Sequence, residues 1–487
     1  MNTGATVIKN TVILSIGQFV TLGTGVVFTG ILSRHIGPAG YGQYAFAMST
    51  VAILMILVEL GFGNLTIRAV AQRRDEAPKY FENIVFIKVL VATAVIAAYL
   101  LVAWLGNGPR EMRILVLVMG VNMTLDSITL TAGTIFFAYE QMKYDVIARV
   151  IRSLVALGLG AGMIALGYDL IAITSVVVLA NIAKLAISLS LLSRKITRLR
   201  FRIDLGFCRY LVAASLPFAL LLVVNVVFSN VGIIMLGTLT SEIVVGWFAS
   251  AVRITDMLLI IPGMLLTALY PVLSKSYASS TESLGSSYGR AFHWGLILGM
   301  PMAAGVFLTA DEIVGLVFGP GFENASSVLR LMSLVIGVSF CNNINGATLS
   351  AMGKERFFAA LSTLTVTVVA ITNWWLIPVI GYPAVAITQI VAVGAGFIIY
   401  SVLCHQWLGL RLPWATAARS LLATSLMAIC VFLALRIGAS LVVLVLLIGP
   451  VTYMGAVRLL GLLSGDDFLY MRRALRFVYL SKPASEH

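Results

Sequence analysis

Residues 167–202 read GYDLIAITSVVVLANIAKLAISLSLLSRKITRLRFR. Between Leu170 and Ser193 there is neither glycine nor proline, and Lys184 is the one charged residue. A helix built from this run is hydrophobic all round, as helices are when lipid or other helices surround them. About twenty such residues, rising ~1.5 Å each, cross a hydrocarbon core of ~30 Å. The run then stops at five cations in nine residues: Arg194, Lys195, Arg198, Arg200 and Arg202. An apolar span closed by a block of Lys and Arg reads as a membrane helix ending on the side where cations are retained.

The rest of the chain repeats that form. It is 487 residues long, 60% hydrophobic and only 11% charged, whereas soluble domains carry about a quarter charged residues. Apolar runs punctuated by glycine, proline and charge place spans at 11–33, 44–66, 84–106, 112–138, 150–167, 170–193, 210–236, 243–270, 291–310, 328–352, 358–379, 384–403, 420–436 and 440–460. The fold expected is all-α and polytopic, with about fourteen transmembrane helices. The first apolar run is too long for a signal-peptide core and no cleavage site closes it, so it is expected to stay as the first span.

The net charge of +13 is a topology signal rather than a nucleic-acid signal, because the cations gather in alternate loops. With the N-terminus placed inside, the inside segments and their edges hold 25 of the 33 Lys and Arg. The outside loops hold Arg34, Arg110, Arg113 and Arg436, and Lys88, Lys184, Arg253 and Arg330 fall within spans. Both termini are therefore expected to be cytoplasmic, in a cell inner membrane. The longest outside connection, Asp311 to about Ser327, is too short for a folded domain, which disfavours a polymerase or ligase. Cys208, Cys341, Cys404 and Cys430 lie far apart and show no disulfide or zinc spacing. The four histidines are isolated, and no catalytic triad, phosphate-binding loop or dinucleotide fingerprint appears. No enzyme activity, metal or cofactor is expected, and uphill transport would need an ion gradient of protons or sodium.

Two internal matches indicate duplication. Tyr41-Gly42-Gln43-Tyr44-Ala45-Phe46-Ala47 aligns with Val245-Gly246-Trp247-Phe248-Ala249-Ser250-Ala251, and Gly167–Thr174 aligns with Gly381–Thr388. Each pair sits at the same point of the span order, so spans 1–6 and 7–12 read as two copies of one bundle. An even number of spans gives both copies the same orientation, related by an axis along the membrane normal, with a site between them. The expected architecture is a V-shaped pair of six-helix repeats. Residues 1–205 form the first bundle, 206–405 the second, and 406–487 two appended helices and a tail.

Polar residues inside spans carry the functional expectation, since a charge at the bilayer centre costs roughly 2.5–3.5 kcal/mol and faces a bundle interior or wet cavity. Glu59, Asp126, Lys184, Arg253 and Asp256 lie several turns from either end of their spans, accompanied by Asn122, Asn225, Asn230, Asn342, Asn343 and Asn345. Together they imply a hydrated chamber. Each has a structural alternative. Arg253 and Asp256, three residues apart, are placed to neutralise one another; Glu59 is placed to pair across helices; Lys184 is able to snorkel; Lys88 and Arg330, nearer span ends, read as interfacial anchors. Gln18, Thr21 and Gly25 share one face of the first span, either packed or lining a cavity.

Leu32-Ser33-Arg34-His35-Ile36-Gly37-Pro38-Ala39-Gly40-Tyr41-Gly42 resembles the signature of the polysaccharide-biosynthesis (O-unit) flippase family, within the superfamily that also holds MATE drug exporters and lipid II flippases. Gly61 to Gln72 with Arg68, Leu236-Gly237 to Gly246 running on to Pro271 and Ser274, and Gly319 to Ala325 resemble the same family. So do Leu349-Ser350-Ala351-Met352-Gly353-Lys354 and Ile377-Pro378-Val379-Ile380-Gly381. The resemblance implies a MATE-like bundle and a substrate, an oligosaccharide on a polyprenyl pyrophosphate. It also implies membrane lipids as surroundings and, as a further partner, a polysaccharide polymerase complex. Members often carry an aspartate where this chain has Asn230, which cannot titrate. On this reading Arg253, Lys184 and Arg34, with Asn225 and Asn345, are expected to contact pyrophosphate or sugar, because a guanidinium fork matches phosphate oxygens. Asp126, Glu59 and Asp256 are expected to couple an ion. The competing readings are a lipid II flippase, an ion-coupled drug exporter, and a non-transporting scaffold of a synthase complex.

Overall fold

The computed structural model describes residues 3–107, 109–199, 202–352 and 354–462. Arg200 and the expected cytoplasmic tail beyond Leu462 lie outside the described residues. Among those described, every regular element is helical: α1 (Thr3–Leu54), α2 (Ile56–Glu59), α3 (Phe62–Gln72), α4 (Ala77–Leu105), α5 (Arg110–Ala138), α6 (Lys143–Ala165), α7 (Leu170–Lys195), α8 (Leu205–Leu239), α9 (Glu242–Ser279), α10 (Thr281–Leu308), α11 (Ala310–Val317), α12 (Ala325–Ala351), α13 (Glu355–Ile380), α14 (Pro383–Leu408), α15 (Trp414–Arg436), α16 (Leu441–Val443) and α17 (Gly449–Leu459). Leu101, Val102, Trp104 and Leu105 of α4, and Trp374, Trp375 and Val379 of α13, stand exposed. Apolar area on that scale is stable only against lipid. The chain is a multi-pass membrane protein.

Among the described residues, twelve stretches are long and apolar enough to cross a membrane, against the fourteen expected. The difference lies at the two ends. The first stretch, Ile13–Gln72, runs 60 residues, which as a straight helix would reach ~90 Å. It does not run straight. Pro38 lacks an N–H and disfavours helical backbone at the residue before it, and Gly37 adopts φ 69° and ψ −179°, a region open essentially to glycine. Before this break, a Cβ at Gly17 would overlap Val146, and one at Gly160 would overlap Phe28. The first half therefore rises alongside α6. Beyond the break, Val51 and Met55 pack with Ile96, Leu115 and Met119, and Val70 packs with Ala77, Ala138 and Leu192. The chain has reversed, and α1–α3 hold two crossings. At the other end, Leu441–Leu459 contains a π-helical segment at Leu444–Ile448 and forms no single unbroken α-helix.

The chain divides into two compact units. The first comprises residues 1–246 with Val317–Gly319; the second comprises Trp247–Leu316 and residues 320 onward. By compactness α8 goes with the first unit, which differs from the repeat boundary at 205/206. In the first unit, Phe81, Ile84, Phe136, Leu192 and Leu211 form the core at the end that carries the basic loops. In the second unit, Tyr288, Phe292, Ile344, Tyr400 and Cys404 form a core between α10, α12 and α14. The helices expected as an appendage are packed there: Ala423 of α15 and Ala456 and Val457 of α17 meet Ile297 of α10.

Candidate functional site

The first unit has a charged interior, and it begins where a helix is interrupted. α2 ends at Glu59, after which Leu60 (φ 41°) and Gly61 (φ 77°) turn left-handed before α3 starts. A broken helix leaves backbone groups without intrahelical partners, which membrane proteins tolerate where the break is buried or lines a cavity. The Glu59 carboxylate receives Lys88 Nζ of α4 at 2.9 and 3.1 Å and the Ser127 hydroxyl of α5. Lys88 also donates to the Ser127 carbonyl at 3.2 Å. The lysine is almost wholly enclosed, with 2% of its side chain accessible against 21% for Glu59.

A two-rung polar ladder joins α5 to α7 beside this cluster. Asn122 and Asp126, four apart, share a face of α5, and Asn181 and Lys184, three apart, share a face of α7. The Asn181 amide donates to the Asn122 side chain at 2.6 Å, and Lys184 Nζ donates to Asp126 Oδ1 at 2.7 Å. Here too the lysine is hidden and the carboxylate accessible, 8% against 49%. α6 adds a third set at Asp145, Arg149 and Arg152, spaced four and three apart. Asp145 pairs with Arg149 at 2.9 Å, and Arg149 also reaches Gln18 of α1 at 3.3 Å. Arg152 acts electrostatically on Asp126, but its Nε is buried with no hydrogen-bond partner among the described residues. Glu59, Asp126 and Asp145 thus face Lys88, Lys184, Arg149 and Arg152. Arg152 is the cation of this set with no carboxylate within 4 Å among the described residues, in a setting where uncompensated charge is costly.

The sequence-predicted residues fall into three groups. Glu59, Asp126 and Lys184 are brought together in this network. Arg34 is elsewhere, exposed beside the α1 break with its side chain against Gly319, and Asn225 is exposed on α8. The remaining predicted residues, Arg253, Asp256 and Asn345, lie in the second unit. Arg253 and Asp256 are both exposed on α9 and, among the described residues, form no ion pair within 4 Å, although the Arg253 charge acts on Asp256. Asn345 is fully buried. It accepts from Tyr288 at 2.7 Å and donates to Ser401 at 2.8 Å, which ties α10, α12 and α14 together. Its hydrogen bonds are spent on packing rather than offered to a cavity. Lys88, read as an interfacial anchor, is a core member of the network instead.

The apolar window that marks the fifth span begins at 150, which leaves Arg149 outside it and Arg152 at its edge, so neither reads as an intramembrane charge. α6 begins at Lys143, so Arg149 lies nearly two turns and Arg152 about two and a half turns inside a helix. The i, i+4, i+7 spacing of Asp145, Arg149 and Arg152 was the available signal.

At the other end of the unit, the two copies of the duplicated glycine motif meet. A Cβ on Gly42 would overlap the Glu242 carbonyl oxygen, and one on Gly246 would overlap the Pro38 carbonyl oxygen. Gln43 donates to the Glu242 carboxylate at 2.9 Å beside this crossing. A cavity of about 410 Å3 opens there, bordered by Glu111, Asp169 and Glu242.

Known proteins match this arrangement along most of the chain. The family model described as "Polysaccharide biosynthesis protein" matches residues 7–277, more than half of the sequence. The chain belongs to that family. The MatE model matches residues 217–375. Among curated proteins, the chain is 19% identical over 412 residues to the "Probable low-salt glycan biosynthesis flippase Agl15" of Haloferax volcanii, covering 82% of this chain and 85% of that one. It is 22% identical over 353 residues to the "Lipopolysaccharide biosynthesis protein WzxC" of Escherichia coli, covering 70% and 69%. Among solved structures, the lipid II flippase MurJ in an inward closed conformation superposes with a TM-score of 0.76 at 13% identity, over 91% of this chain and 98% of that one. An inward-facing MATE multidrug transporter superposes at 0.67 and 16%, over 82% and 98%. These superpositions show the fold: this member of the polysaccharide biosynthesis family has the architecture of that transporter superfamily.

Proposed function

We propose that the protein is a flippase that carries a polyprenyl-pyrophosphate-linked oligosaccharide from the inner to the outer leaflet of the inner membrane for surface polysaccharide assembly. Both termini are cytoplasmic in this reading, and the two six-helix repeats, 1–205 and 206–405, alternate in access. Family membership supports the pathway class, and the relatives named as flippases support the substrate class. The observation that carries the reading is the cationic excess inside the first unit. An anionic headgroup entering the interior needs donors, and Arg152 is a guanidinium with no carboxylate within 4 Å among the described residues.

The lysines give the site a release step. Lys88 and Lys184 sit behind Glu59 and Asp126. Transfer of a proton to the Asp126 carboxylate frees the Lys184 ammonium to meet a pyrophosphate oxygen; loss of the proton restores the ion pair and displaces the anion. In that cycle the proton and the anion are bound together and released together, which makes Asp126 the ion-coupling carboxylate, with Glu59 as a second carboxylate beside it. Arg253 is the corresponding cation of the second repeat, and a polysaccharide polymerase is the downstream partner.

The test is depletion of the protein in its own cell. The expected result is a lipid-linked glycan intermediate trapped on the inner leaflet, cleared by the wild-type gene. At matched expression, Arg152→Ala and Arg253→Ala should lose most of that clearance, with lysine at either position restoring less than half if fork geometry is required. Accumulation of a peptidoglycan precursor, or a drug-sensitivity phenotype with no trapped glycan, would overturn the proposal.

A further inference from the structure

A second cavity, of about 900 Å3, lies in the first unit at the end that carries the basic loops, nearly two helical turns along α4 from Lys88 and about three along α7 from Lys184. Lys79 of α4, Arg194 and Lys195 of α7, and Arg198 and Arg202 of the α7–α8 linker line it, together with Asp75, Glu82 and Asp204. Retention of cations on one side of a membrane accounts for basic residues in these loops. It does not account for their being built into a walled pocket.

The linker is fastened to α4 by two side chains that the transport reading leaves unused. Glu82 and Asn83 are 6% and 0% exposed. Glu82 Oε2 accepts the Arg202 backbone N–H at 2.7 Å, and Asn83 Oδ1 accepts the Asp204 backbone N–H at 2.8 Å. Asp204 in turn caps α8 by accepting from Phe207 N at 3.0 Å and pairs with Lys79 at 3.4 Å. The Phe207 N–H and the Lys79 ammonium hold its carboxyl below the usual aspartate range. Glu82 and Asp204 are therefore engaged in holding the wall. By contrast Arg194, Lys195, Arg198 and Arg202 are all exposed, and none has a carboxylate within 4 Å among the described residues. The first turn of α4 also opens here, with Pro78 in the lining and no side-chain cap at its start. The positive end of its dipole favours an anion.

We propose that this cavity is a phosphate-binding site for the headgroup of an anionic lipid, with Arg198 and Arg202 as its chief ligands. Planar guanidinium forks suit phosphate oxygens, and the volume falls within the range of small-ligand sites, about 300–1,000 Å3. Two sources offer that chemistry, a bilayer phospholipid and a polyprenyl pyrophosphate. The site stands apart from the charged interior and does not rest on what the protein transports.

The experiment uses the full chain in nanodiscs, with three probes: inorganic pyrophosphate added to phosphatidylcholine discs, phosphatidylglycerol included in the discs, and polyprenyl pyrophosphate included in the discs. Binding is read by calorimetry for the first and by lipid retention in native mass spectrometry for the others. The Arg198→Ala/Arg202→Ala variant should lose at least tenfold in affinity or retention for one or more probes, and the double lysine variant should keep part of it. The control Lys143→Ala/Lys354→Ala, with the same charge change in other loops, should stay within twofold of wild type. Loss confined to phosphatidylglycerol assigns the site to bilayer lipid; loss confined to the polyprenyl compound, or shared with free pyrophosphate, assigns it to pyrophosphate. Equal loss in the control, or wild-type behaviour of the alanine variant with all three probes, overturns the proposal.

Discussion

At the scale of single residues, the Glu59–Lys88 pair is unequal in its two halves. The ammonium is 2% accessible and the carboxylate 21%, so removing one partner is not equivalent to removing the other. Glu59→Gln leaves a cation enclosed with only neutral acceptors, in the regime where breaking a buried pair costs about 3–5 kcal/mol. Lys88→Met leaves a carboxylate that still accepts from Ser127 and reaches the accessible side, which should cost less. The double variant Glu59→Gln/Lys88→Met has no orphaned charge, and its thermal midpoint should lie above that of Glu59→Gln alone. Additive loss in the double variant, measured on purified protein, would mean that the two side chains do not act as a pair. Glu59, Asp126 and Lys184 were legible in the sequence because intramembrane charges announce themselves. Their partners were not, since partnership depends on which faces of α4, α5 and α7 meet.

At the scale of elements, the chain uses glycine where helices must break or nearly touch. The turn at Gly37–Pro38 was readable as a connection between spans. The close crossing of Gly42 with Gly246 was visible only as a duplication, because repeat symmetry predicts equivalence and not contact. Backbone carbonyls stand where either Cβ would go, and backbone cannot yield as the tip of a flexible side chain can. Gly42→Ala and Gly246→Ala should each lower the thermal midpoint or cut export severalfold at matched expression. Gly162→Ala, on α6 with open space at its Cβ, should be neutral or slightly stabilising. Indifference of both motif positions to alanine would mean that this crossing is loose. The start of α6 teaches a related lesson. A span recognised by its longest apolar window loses its charged first turns, and with them Asp145 and Arg149.

At the scale of the whole molecule, connectivity and charge together dictate a topology that labelling can test. The reversal at Gly37 and the successive helices α4 to α7 place the loop at Arg73–Glu76 and the end of α7 on one side, and the turns at Gly106–Asn107 and Gly167–Tyr168 on the other. His35 Nε2 lies 2.9 Å from the Tyr168 carbonyl oxygen, which sets the α1 break on the second side as well. That first side holds Arg73, Arg74, Lys79, Arg194, Lys195, Arg198 and Arg202, so by the retention of cations it is the side predicted to face the cytoplasm. Cys208, Cys341 and Cys404 are buried and Cys430 is partly so, so replacing the four with serine or alanine gives a background in which a single introduced thiol is read cleanly. In that background Arg74→Cys and Lys195→Cys should react with a membrane-impermeant maleimide only after the cells are opened, whereas Asn107→Cys, Tyr168→Cys and Ser440→Cys should react in intact cells. Swapping every result would invert the orientation while leaving the fold intact. Labelling of Arg74→Cys and Asn107→Cys from the same side cannot be reconciled with a single crossing by α4, and would overturn the order of crossings from which the charged interior is built.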